Sequence, residues 1–503
     1  MNDVILAIDI GTTNIKCVVA RRNMQFLADA ECEYKTHSPE FLFYEQDCED
    51  WWTHCKLAIS RALAKAGTSA ADVAAIAVSA QAPTFLPVAR DGSPLCPAMI
   101  WMDRRSDRQC RQMELDFGRE AIFRATGNVP DPFYMFGELL WFKENMPQQY
   151  EKTACVLQAN GYVNYRLTGE MTIDRTNASI TQCYNVINED WDDAILSKYG
   201  VSRAILPRIV DTDEVIGGVS AQASAETGIP AGTPVLGGAV DGAAAALEGG
   251  VSHQGRAVEM SGTSSVLLVG SESMHTSENL TYMYSAIRGQ HLLLGCMSST
   301  GGGLKWYRDN IFADKGEGCY AQMDRIIEKE CPDPARIVFL PYLAGERAPI
   351  WDSHAKGAFL GLTFDTNQGE MLRAVEEGAA FALMDNLREA LRSGATIETL
   401  RAVGGSVRSD IWMRIKASVT NMPIEIPKSS LGAPGGLLAI LGYRLGEYAS
   451  IQEAVDANLQ IERVVEPVPA WVPRYSEQFQ MFKEYYRQLK GSFERADRMG
   501  EAQ

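Results

Sequence analysis

The sequence predicts an α/β protein whose two related lobes share one ligand cleft, and three observations lead to this fold class. A chain of 503 residues exceeds one ordinary domain core, so it should divide into at least two lobes. A strand, a glycine turn with hydroxyl side chains and a second strand occur at residues 4–20, and this design returns at residues 257–269. Other apolar strands end in polar residues, and α/β sheets bind ligands at such strand ends.

Composition and charge limit the partners and the compartment. The net charge of -17 argues against a nucleic-acid or anionic-membrane partner, because both need a basic surface, although a nucleotide needs only a local site. No apolar run reaches the roughly 20 residues that span a bilayer, and no signal peptide precedes the first strand at Val4. The eleven cysteines include no C-x-x-C pair and the six histidines are dispersed. We therefore expect reduced thiols, no zinc site and a cytoplasmic location.

The first turn predicts a site for phosphate and metal. It lies between two apolar strands and contains Asp9, Gly11, Thr12 and Thr13. A tight turn at the glycine can bring backbone N–H groups close to an anion, and the threonines add hydroxyl donors. Asp9 can hold a hydrated magnesium ion, which prefers oxygen ligands. The alternative is an ordinary β-hairpin whose Asp and Thr residues only stabilise the turn.

Candidate substrate contacts follow two strands and an aromatic segment of the first half. Val73–Val78 predicts a buried strand that ends near Gln81, and Leu95–Trp101 predicts another that precedes Asp103. The position of both polar side chains at strand ends makes them candidates for ligand contact. The segment around Tyr134 either covers a small-molecule site or is a packed loop.

A third strand end carries the candidate catalytic acid. Residues 234–240 predict a strand, and Asp241 follows it before Gly242 and an alanine-rich helix start. A carboxylate at this position is a plausible general base. An Asp there also caps a helix well, and the two roles are compatible.

The second half contains a second set of glycine turns. The hairpin at residues 257–269 repeats the strand, hydroxyl-rich turn and strand of the first lobe. The glycine cluster Ser299–Trp306 precedes a helix, whose N-terminus suits nucleotide phosphates or sugar, with a flexible loop as the alternative. Gly404 and Gly405 follow a further strand and would let a flat adenine lie against the backbone.

Three helices are predicted with a structural role. Residues 47–66 begin with acids and continue as an apolar run. Asn367 and Glu370 resemble a capping box at the start of a helix that Gly394 can end. Residues 475–496 predict a charged terminal helix that serves packing or assembly, and a homodimer is one form that assembly could take.

Together these pieces resemble the FGGY family of carbohydrate kinases, which contains glycerol kinase and xylulokinase. The matching points run in order from Asp9 to about residue 445, and the stretch Gly345–Leu362 closely resembles a family signature. The resemblance implies two ribonuclease-H-like lobes of the actin/hexokinase type, with ATP and sugar in the central cleft. It implies an N-terminal lobe over residues 1–248, a C-terminal lobe over residues 249–446 and a helical tail over residues 447–503.

The resemblance also implies roles for individual residues. Asp241 matches the family's catalytic base, and with Gln81, Asp103 and Tyr134 it forms the candidate acceptor site. Asp9 is the candidate magnesium ligand. The residues that match ATP contacts are Thr12, Thr13, Asn14, Lys16, Thr263, Gly301, Lys305, Gly405 and Ser409.

One departure from the family pattern bears on the substrate. Ala82 and Pro83 follow Gln81, where glycerol kinases have Arg-Glu and xylulokinases have Met-His. Neither side chain can hydrogen-bond, and Pro83 also lacks a backbone N–H. We therefore expect a less usual polyol, ketose or sugar acid as the preferred acceptor, rather than glycerol or D-xylulose. Leu431–Gly436 replaces a late acidic, alanine-rich motif.

The predicted function is ATP-dependent phosphorylation of one hydroxyl of a small carbohydrate. The alternatives are an actin-like ATPase, which would share the phosphate turns but bind no sugar, and a sugar-binding protein without catalysis. An acid at position 241 together with Gln81 and Asp103 favours the kinase. Fold resemblance alone does not decide among them.

Overall fold

A seven-stranded sheet lies at the centre of each half of the chain. The computed structural model describes residues 3–313, 315–316, 318–428 and 430–500. The strands of the first half are β1 (Val4–Ile10), β2 (Asn14–Arg21), β3 (Phe26–Glu33), β4 (Glu45–Gln46), β5 (Val73–Ala80), β6 (Thr84–Val88), β7 (Ala98–Ile100), β8 (Cys155–Leu157), β9 (Thr172–Asp174), β10 (Tyr184–Asn185), β11 (Asp190–Trp191), β12 (Arg208–Val210), β13 (Val215–Gly218), β14 (Pro234–Leu236) and β15 (Ala239–Val240). Its helices are α1 (Cys48–Ala66), α2 (Asp107–Asp116), α3 (Arg119–Thr126), α4 (Met135–Asn145), α5 (Pro147–Tyr150), α6 (Ala159–Thr168), α7 (Arg175–Ala178), α8 (Asp193–Lys198), α9 (Ala221–Thr227) and α10 (Asp241–Glu248), with 3-10 turns at Ala70–Asp72 and Arg203–Ile205.

The second half follows the same alternation. Its strands are β16 (Gly255–Ser261), β17 (Ser265–Ser271), β18 (Thr281–Tyr284), β19 (His291–Met297), β20 (Val338–Leu340), β21 (Ala358–Leu360), β22 (Ile397–Gly404), β23 (Ile424–Pro427) and β24 (Ile461–Val465). Its helices are α11 (Thr300–Asn310), α12 (Cys319–Glu330), α13 (Gln368–Arg392), α14 (Asp410–Thr420), α15 (Ala433–Arg444), α16 (Ile451–Asn458) and α17 (Val472–Gly500), with a 3-10 turn at Gly405–Arg408.

The two sheets have equivalent topologies. In the first, the antiparallel hairpin β1–β2 continues to β3 on one side, while β5 lies parallel to β1 on the other. In the second, β16–β17 continues to β19, and β22 lies parallel to β16. This order of three antiparallel strands followed by parallel ones is the ribonuclease-H-like arrangement that the resemblance implies. Both glycine turns therefore occupy the same place in their sheets, after the first strand.

The predicted helices form with the expected end signals. Helix α1 begins after Asp47, whose carboxylate accepts the backbone N–H of Glu49, and it ends at Gly67 in a left-handed conformation with φ of 65°. Helix α13 begins after Asn367, whose side chain accepts the backbone N–H of Glu370. The predictions of helices at residues 47–66 and from Asn367 are confirmed.

Helices α10 and α15 join the two halves. They cross closely, and a Cβ atom on Gly436 would lie 1.8 Å from the backbone oxygen of Ala244. Helix α15 lies between strands β23 and β24 of the second sheet in sequence, yet it packs on β1 and β5 of the first sheet. One apolar core therefore contains residues of both sheets, including Ile5, Val258 and Leu437.

The region after residue 446 is part of the second lobe. Strand β24 pairs antiparallel with β23 and extends the second sheet. Helix α17 buries Tyr475, Phe479 and Phe482 in the apolar core of the same lobe. The predicted helical tail over residues 447–503 contains helices α16 and α17, and strand β24 lies between them.

In the part of the chain that the structure describes, no helix combines the length and the apolar composition needed to cross a lipid bilayer.

Candidate active site

The first turn is held by polar contacts from the strands and loops around it. The backbone N–H of Gly11 donates to the carbonyl of Asn14 at 2.9 Å, which closes the turn between β1 and β2. The hydroxyl of Thr12 accepts the indole N–H of Trp101 at 3.1 Å, and the Thr12 carbonyl accepts the amide of Gln46 at 2.9 Å. Thr13 is exposed at the tip of the turn. The two threonines therefore lie at the accessible edge of the sheet, as predicted for a phosphate turn.

Asn14 and Lys16, two further predicted ATP contacts, face acidic side chains of β3. The Asn14 amide donates to Glu31 at 3.0 Å, and Lys16 Nζ lies 3.6 Å from Glu31 and 3.8 Å from Asp29. Both side chains are only partly exposed. In this conformation their polar groups are therefore engaged with β3, and contact with a phosphate requires them to turn away from these carboxylates.

The candidate acids meet at the ends of three neighbouring strands. Asp9 of β1 is in register with Ser79 of β5, whose hydroxyl donates to the Asp9 carboxylate at 2.8 Å. Strand β15 pairs with the other side of β5, and Asp241 follows β15 directly as the first residue of α10. Gln81 follows β5, and its backbone N–H donates to Ile10 at 2.8 Å. The parallel strands thus bring Asp9, Gln81 and Asp241 to one edge of the sheet.

Burial raises the pKa of both acids, and the charge of Asp9 also acts on Asp241. Burial raises the pKa of Asp241 from its ordinary value of 3.8 to about 7, with a further contribution from the charge of Asp9. Burial also raises the pKa of Asp9, against a smaller lowering by the Ser79 hydroxyl and by Lys16. One Asp241 oxygen accepts the backbone N–H of Gly242 at 2.6 Å, which fixes the carboxylate at the helix start. Asp241 is therefore in range to exchange a proton near neutral pH.

Gln81 is buried at this edge of the sheet. Its side chain is 1% exposed, and its amide donates to the side-chain oxygen of Gln46 at 2.6 Å. Among the described residues the other polar atom of the amide, Oε1, has no hydrogen-bond partner. A buried polar atom without a partner costs free energy, so this oxygen is suited to accept a bond from a ligand hydroxyl or water.

Asp103 does not line the cleft, and its predicted role in substrate contact is corrected. The side chain is completely buried, and its two oxygens accept hydrogen bonds from Arg105 and from the backbone N–H of Tyr44. The Arg105 guanidinium lies 3.8 Å from the centroid of the Phe43 ring. Because all this bonding is internal, the Asp103 carboxylate fixes the loop that follows Trp101.

Tyr134 is buried where the two halves meet. It is 3% exposed and packs edge-on against Phe133 at a centroid distance of 5.0 Å. Burial raises its pKa, with a smaller opposing effect from the Thr281 hydroxyl of the second half and a small contribution from Cys296. Its ring therefore forms part of the wall between the lobes, and any contact with a substrate has to come from the edge that faces the cleft.

A cavity of about 480 Å³ in the second half collects the remaining predicted ATP contacts. Its lining is Gly262, Thr263, Gly301, Leu304, Lys305, Tyr320, Ala321, Asp324, Gly405, Ser406, Arg408, Ser409 and Trp412. The structure thus brings Thr263, Gly301, Lys305, Gly405 and Ser409 together, although they are spread over nearly 150 positions of the chain. The volume and the mixed apolar and polar lining suit a nucleotide.

Glycine is required at two close approaches around this cavity. A Cβ atom on Gly301 would lie 2.2 Å from the carbonyl oxygen of Gly262, where α11 packs on the second turn. Gly404 has φ of 98°, and a Cβ there would lie 2.1 Å from the carbonyl oxygen of Ser261. Gly405, in contrast, has open space on its Cβ side. Its bare backbone surface is therefore available to a flat ring.

A buried ion pair supports the 3-10 turn Gly405–Arg408 beside this cavity. Lys416 of α14 donates to both oxygens of Glu259 at 2.6 and 2.7 Å and to the Ser406 hydroxyl at 3.1 Å. Both charged side chains are almost fully buried, so the pair links α14, β16 and the 3-10 turn where removal of one partner would be costly. The charge pattern of the sequence carried no signal for this pairing, because the partners are 157 positions apart.

Two cleft residues escaped the predictions from sequence. Asp324 lines the nucleotide-sized cavity, and burial raises its pKa to about 6 while a bond with Ser409 opposes the shift. Arg347 lies over the Trp101 ring, with 5.7 Å between the guanidinium carbon and the ring centroid. Arg347 falls inside the signature stretch Gly345–Leu362, and this was the feature of the sequence that could have indicated it. Asp324 lies on an amphipathic helix, and no feature of the sequence indicated a role for it.

The donor set at the sheet edge fits magnesium. Asp9, Asp241 and the Ser79 hydroxyl offer only oxygen atoms, and the charge of Asp9 raises the pKa of Asp241. Among the described residues no group of three or more His, Cys, Asp or Glu side chains could enclose a metal ion. The site therefore fits an ion that keeps much of its water and binds one carboxylate.

Comparisons with known proteins agree with this geometry. Residues 4–248 match the N-terminal domain, and residues 257–443 the C-terminal domain, of the FGGY family of carbohydrate kinases. A glycerol kinase from Brucella ovis is 32% identical over 452 residues, covering 85% of this chain and 87% of the relative. The crystal structure of a xylulose kinase from Rhodospirillum rubrum aligns with a TM-score of 0.92 at 26% identity, over 98% of this chain and all of that one. A gluconate kinase from Lactobacillus acidophilus aligns with a TM-score of 0.91 at 25% identity, over 98% of this chain and 99% of that one.

Proposed function

Because this chain belongs to the FGGY family of carbohydrate kinases, we propose that it transfers the γ-phosphoryl group of ATP to one hydroxyl of a polyol, ketose or sugar acid. The observation that carries the proposal is the meeting of Asp9 and Asp241 at one sheet edge beside a phosphate turn, together with a nucleotide-sized cavity in the second half. The names of similar proteins, which include xylulose, glycerol and gluconate kinases, support the acceptor class.

Asp241 is the proposed general base. In its ionised form, the carboxylate accepts the proton of the acceptor hydroxyl while that oxygen attacks the γ-phosphorus and ADP leaves. The bond from the Gly242 N–H keeps one carboxylate oxygen in place, so the other is free for the acceptor. A base with a pKa near the working pH is well matched to this task.

The two turns are proposed to hold the phosphates from opposite sides. Thr12 and Thr13 offer hydroxyl and backbone donors from the first half, and Thr263 does so from the second. Lys305 and Gly301 lie at the start of α11 beside the second turn. Asp9 would hold magnesium, in part through water, and the bound ion supplies positive charge that offsets the charge of the phosphates.

We also propose that the acceptor and the nucleotide bind to different halves. Residues 1–248 would carry the acceptor side and the first phosphate turn, and residues 249–446 the nucleotide side. Helix α15 belongs to the second range but packs on the first sheet, so it would serve as a joint between the lobes. Asn14, Lys16, Gly405 and Ser409 remain proposed nucleotide contacts, and Gln81 and Tyr134 proposed acceptor contacts.

An ATP-consumption screen across polyols, ketoses and sugar acids tests the proposed reaction. We expect turnover that depends on the acceptor, with a kcat/KM for the preferred acceptor above the values for glycerol and D-xylulose. Asp241→Asn should lower kcat by about 10²–10⁴-fold while acceptor binding persists, because the amide keeps the shape but cannot take the proton. ATP turnover that is the same with and without every acceptor would favour an actin-like ATPase instead.

A further inference from the structure

Building on the proposed kinase function, we infer that Arg347 binds the carboxylate of the acceptor, so that the preferred substrate is a sugar acid. Arg347 lies in the loop between β20 and β21, and its guanidinium spans the cleft to the indole face of Trp101. Within the described ranges no carboxylate forms an ion pair with it, although its side chain is partly buried. The charge of the neighbouring Glu346 acts on Arg347, but that carboxylate is bonded to the backbone N–H groups of Ser298 and Arg347. A partly buried guanidinium that forms no ion pair is suited to a ligand anion.

Other cations near the cleft have carboxylate partners or line the nucleotide-sized cavity. Arg104 pairs with Asp131 at 2.5 Å, and Arg105 pairs with Asp103 at 2.7 Å. Lys16 lies 3.6 Å from the nearest carboxylate of β3. Lys305 and Arg408 line the cavity proposed for the nucleotide, so the guanidinium over Trp101 is the better placed positive charge for an acceptor.

Strand β19 connects the position of Arg347 with that of the proposed base. The Glu346 carboxylate accepts the backbone N–H of Ser298, which directly follows β19, so the loop that carries Arg347 lies at the end of this strand. Leu294 of the same strand lies 3.8 Å from the position of a Cβ built on Gly242, the residue after Asp241. An acceptor whose hydroxyl approaches Asp241 can therefore extend along β19 and present its other end to Arg347.

The loop that carries Arg347 is held rigidly. The buried Glu346 carboxylate accepts the backbone N–H of Ser298 at 2.6 Å and that of Arg347 at 2.8 Å. The Arg347 carbonyl accepts the N–H of Trp351 at 2.6 Å. Tyr486 of α17 donates to Asp352, which ties the far end of the loop to the C-terminal helix. The guanidinium is thus presented from a fixed backbone, which lowers the entropic cost of binding an anion.

An anionic acceptor needs a cation in this pocket. Asp9 and Asp241 would repel the acceptor unless a positive charge lay at its other end. Ala82 and Pro83 supply no side-chain donors, so recognition has to come from elsewhere. A planar guanidinium can hold a carboxylate with two parallel N–H donors, which fixes the orientation of the chain and hence the hydroxyl that reaches Asp241.

The experiment measures kcat and KM for aldonic acids and for the alditols of the same carbon number. The wild type should have its highest kcat/KM with an aldonate. Arg347→Gln should lower kcat/KM for the aldonate by about 10- to 100-fold, mainly through KM, and change the alditol value by less than about threefold. Arg347→Lys should retain part of the aldonate activity, because the charge remains but the paired donors do not. Arg392→Gln, which removes an exposed arginine of α13, serves as the matched control.

Three outcomes would overturn the inference. An equal loss for aldonates and alditols would mean that Arg347 acts on the phosphoryl group or on lobe closure. An unchanged kcat/KM for the aldonate in Arg347→Gln would mean that the residue does not contact the acceptor. A wild-type preference for alditols would mean that the preferred acceptor carries no carboxylate. If no acceptor stimulates ATP consumption, the proposed function fails. Calorimetric titration of aldonate into the wild type and Arg347→Gln then still decides whether Arg347 binds a carboxylate.

Discussion

The Asp241 carboxyl lies where its proton is held more tightly than in water. Burial removes the solvation of the charged form, and the nearby charge of Asp9 disfavours a second negative charge. The resulting pKa of about 7 suits a base, and it also means that the ionised form needed for catalysis is reached at the expense of folding free energy.

We predict that Asp241→Asn stabilises the fold at alkaline pH. The folded-state pKa exceeds the ordinary value of 3.8, so the folded protein binds more protons than the unfolded chain between these values. Stability from this group is therefore present below pH 3.8 and is lost as the pH rises through about 7. The variant escapes that loss, on the order of 2–4 kcal/mol.

The measurement compares Tm at pH 5 and pH 8. The gain of Asp241→Asn over the wild type should be larger at pH 8 than at pH 5. Asp193→Asn, at a side chain that is 76% exposed, should change Tm little at either pH. A variant no more stable than the wild type at pH 8 would contradict the assigned burial of this charge.

At the residue scale, strand ends were predictable and side-chain partners were not. Asp9, Gln81 and Asp241 converge as the sequence indicated, because parallel strands place their carboxyl ends on one edge. Asp103 has the same position after a strand, but its carboxylate accepts hydrogen bonds from Arg105, two residues later. The spacing of residues does not distinguish a side chain that binds a ligand from one that binds an internal partner. Arg347 reaches the cleft from the other lobe, and no local pattern encodes such a contact.

At the element scale, helices with strong end signals were predicted closely. The helix predicted at residues 47–66 is α1, Cys48–Ala66, and Asp47 caps its first turn. The strand predicted at residues 234–240 is divided into β14 and β15, because Gly237 and Gly238 interrupt it and Gly238 has a φ of 79°. The packing of α15 on the first sheet could not be predicted, because its apolar surface fits either lobe and only the three-dimensional crossing with α10 selects one.

That crossing leads to a prediction for Gly436→Ala. A methyl group there would meet the backbone oxygen of Ala244 at 1.8 Å, and a helix backbone cannot move aside cheaply. We expect a loss of about 1–3 kcal/mol in the free energy of unfolding. Because α10 begins with Asp241, the shift should also lower kcat.

Denaturant unfolding and steady-state kinetics on one preparation measure both effects. Gly491→Ala on α17 is the matched control, because a Cβ at that position meets no atom within 4 Å. It should be neutral or stabilising by up to about 1 kcal/mol through helix propensity. A Gly436→Ala protein with wild-type stability would show that the two helices do not need this close approach.

At the scale of the whole molecule, contacts in two separate regions help to tie the halves together, besides the contact of Arg347 with Trp101. One is the crossing of α10 and α15. The other involves β18, where Asn128 of the first half exchanges two hydrogen bonds of 2.9 Å with the backbone of Tyr282. Tyr284 adds a bond from its hydroxyl to the Val186 carbonyl at 2.6 Å. A rotation of one lobe about the line through both ties preserves them while it changes the width of the cleft.

We therefore predict that the lobes close on ligand by rotation about this line. The first turn and the second turn lie on different sheets, so one nucleotide can contact both only if the cleft narrows. Asp241→Asn allows a stable complex with ATP and acceptor, because transfer is blocked while both sites remain. Small-angle scattering of that complex should give a smaller radius of gyration than the free protein.

Hydrogen exchange on the same samples distinguishes rotation from general tightening. Protection should rise at the two turns and at the loop that carries Arg347, because these backbones become enclosed. The segments around Asn128, Tyr282 and Gly436 should exchange at the same rate with and without ligands, since an axis does not move. If both ligands are bound and the radius of gyration is unchanged, the cleft is already closed in the free protein. If the exchange rates of the segments around Asn128, Tyr282 and Gly436 change as much as those of the turns, the motion is not a rotation about these segments. The contacts of β18 and α15 must then break before both turns can bind the phosphates.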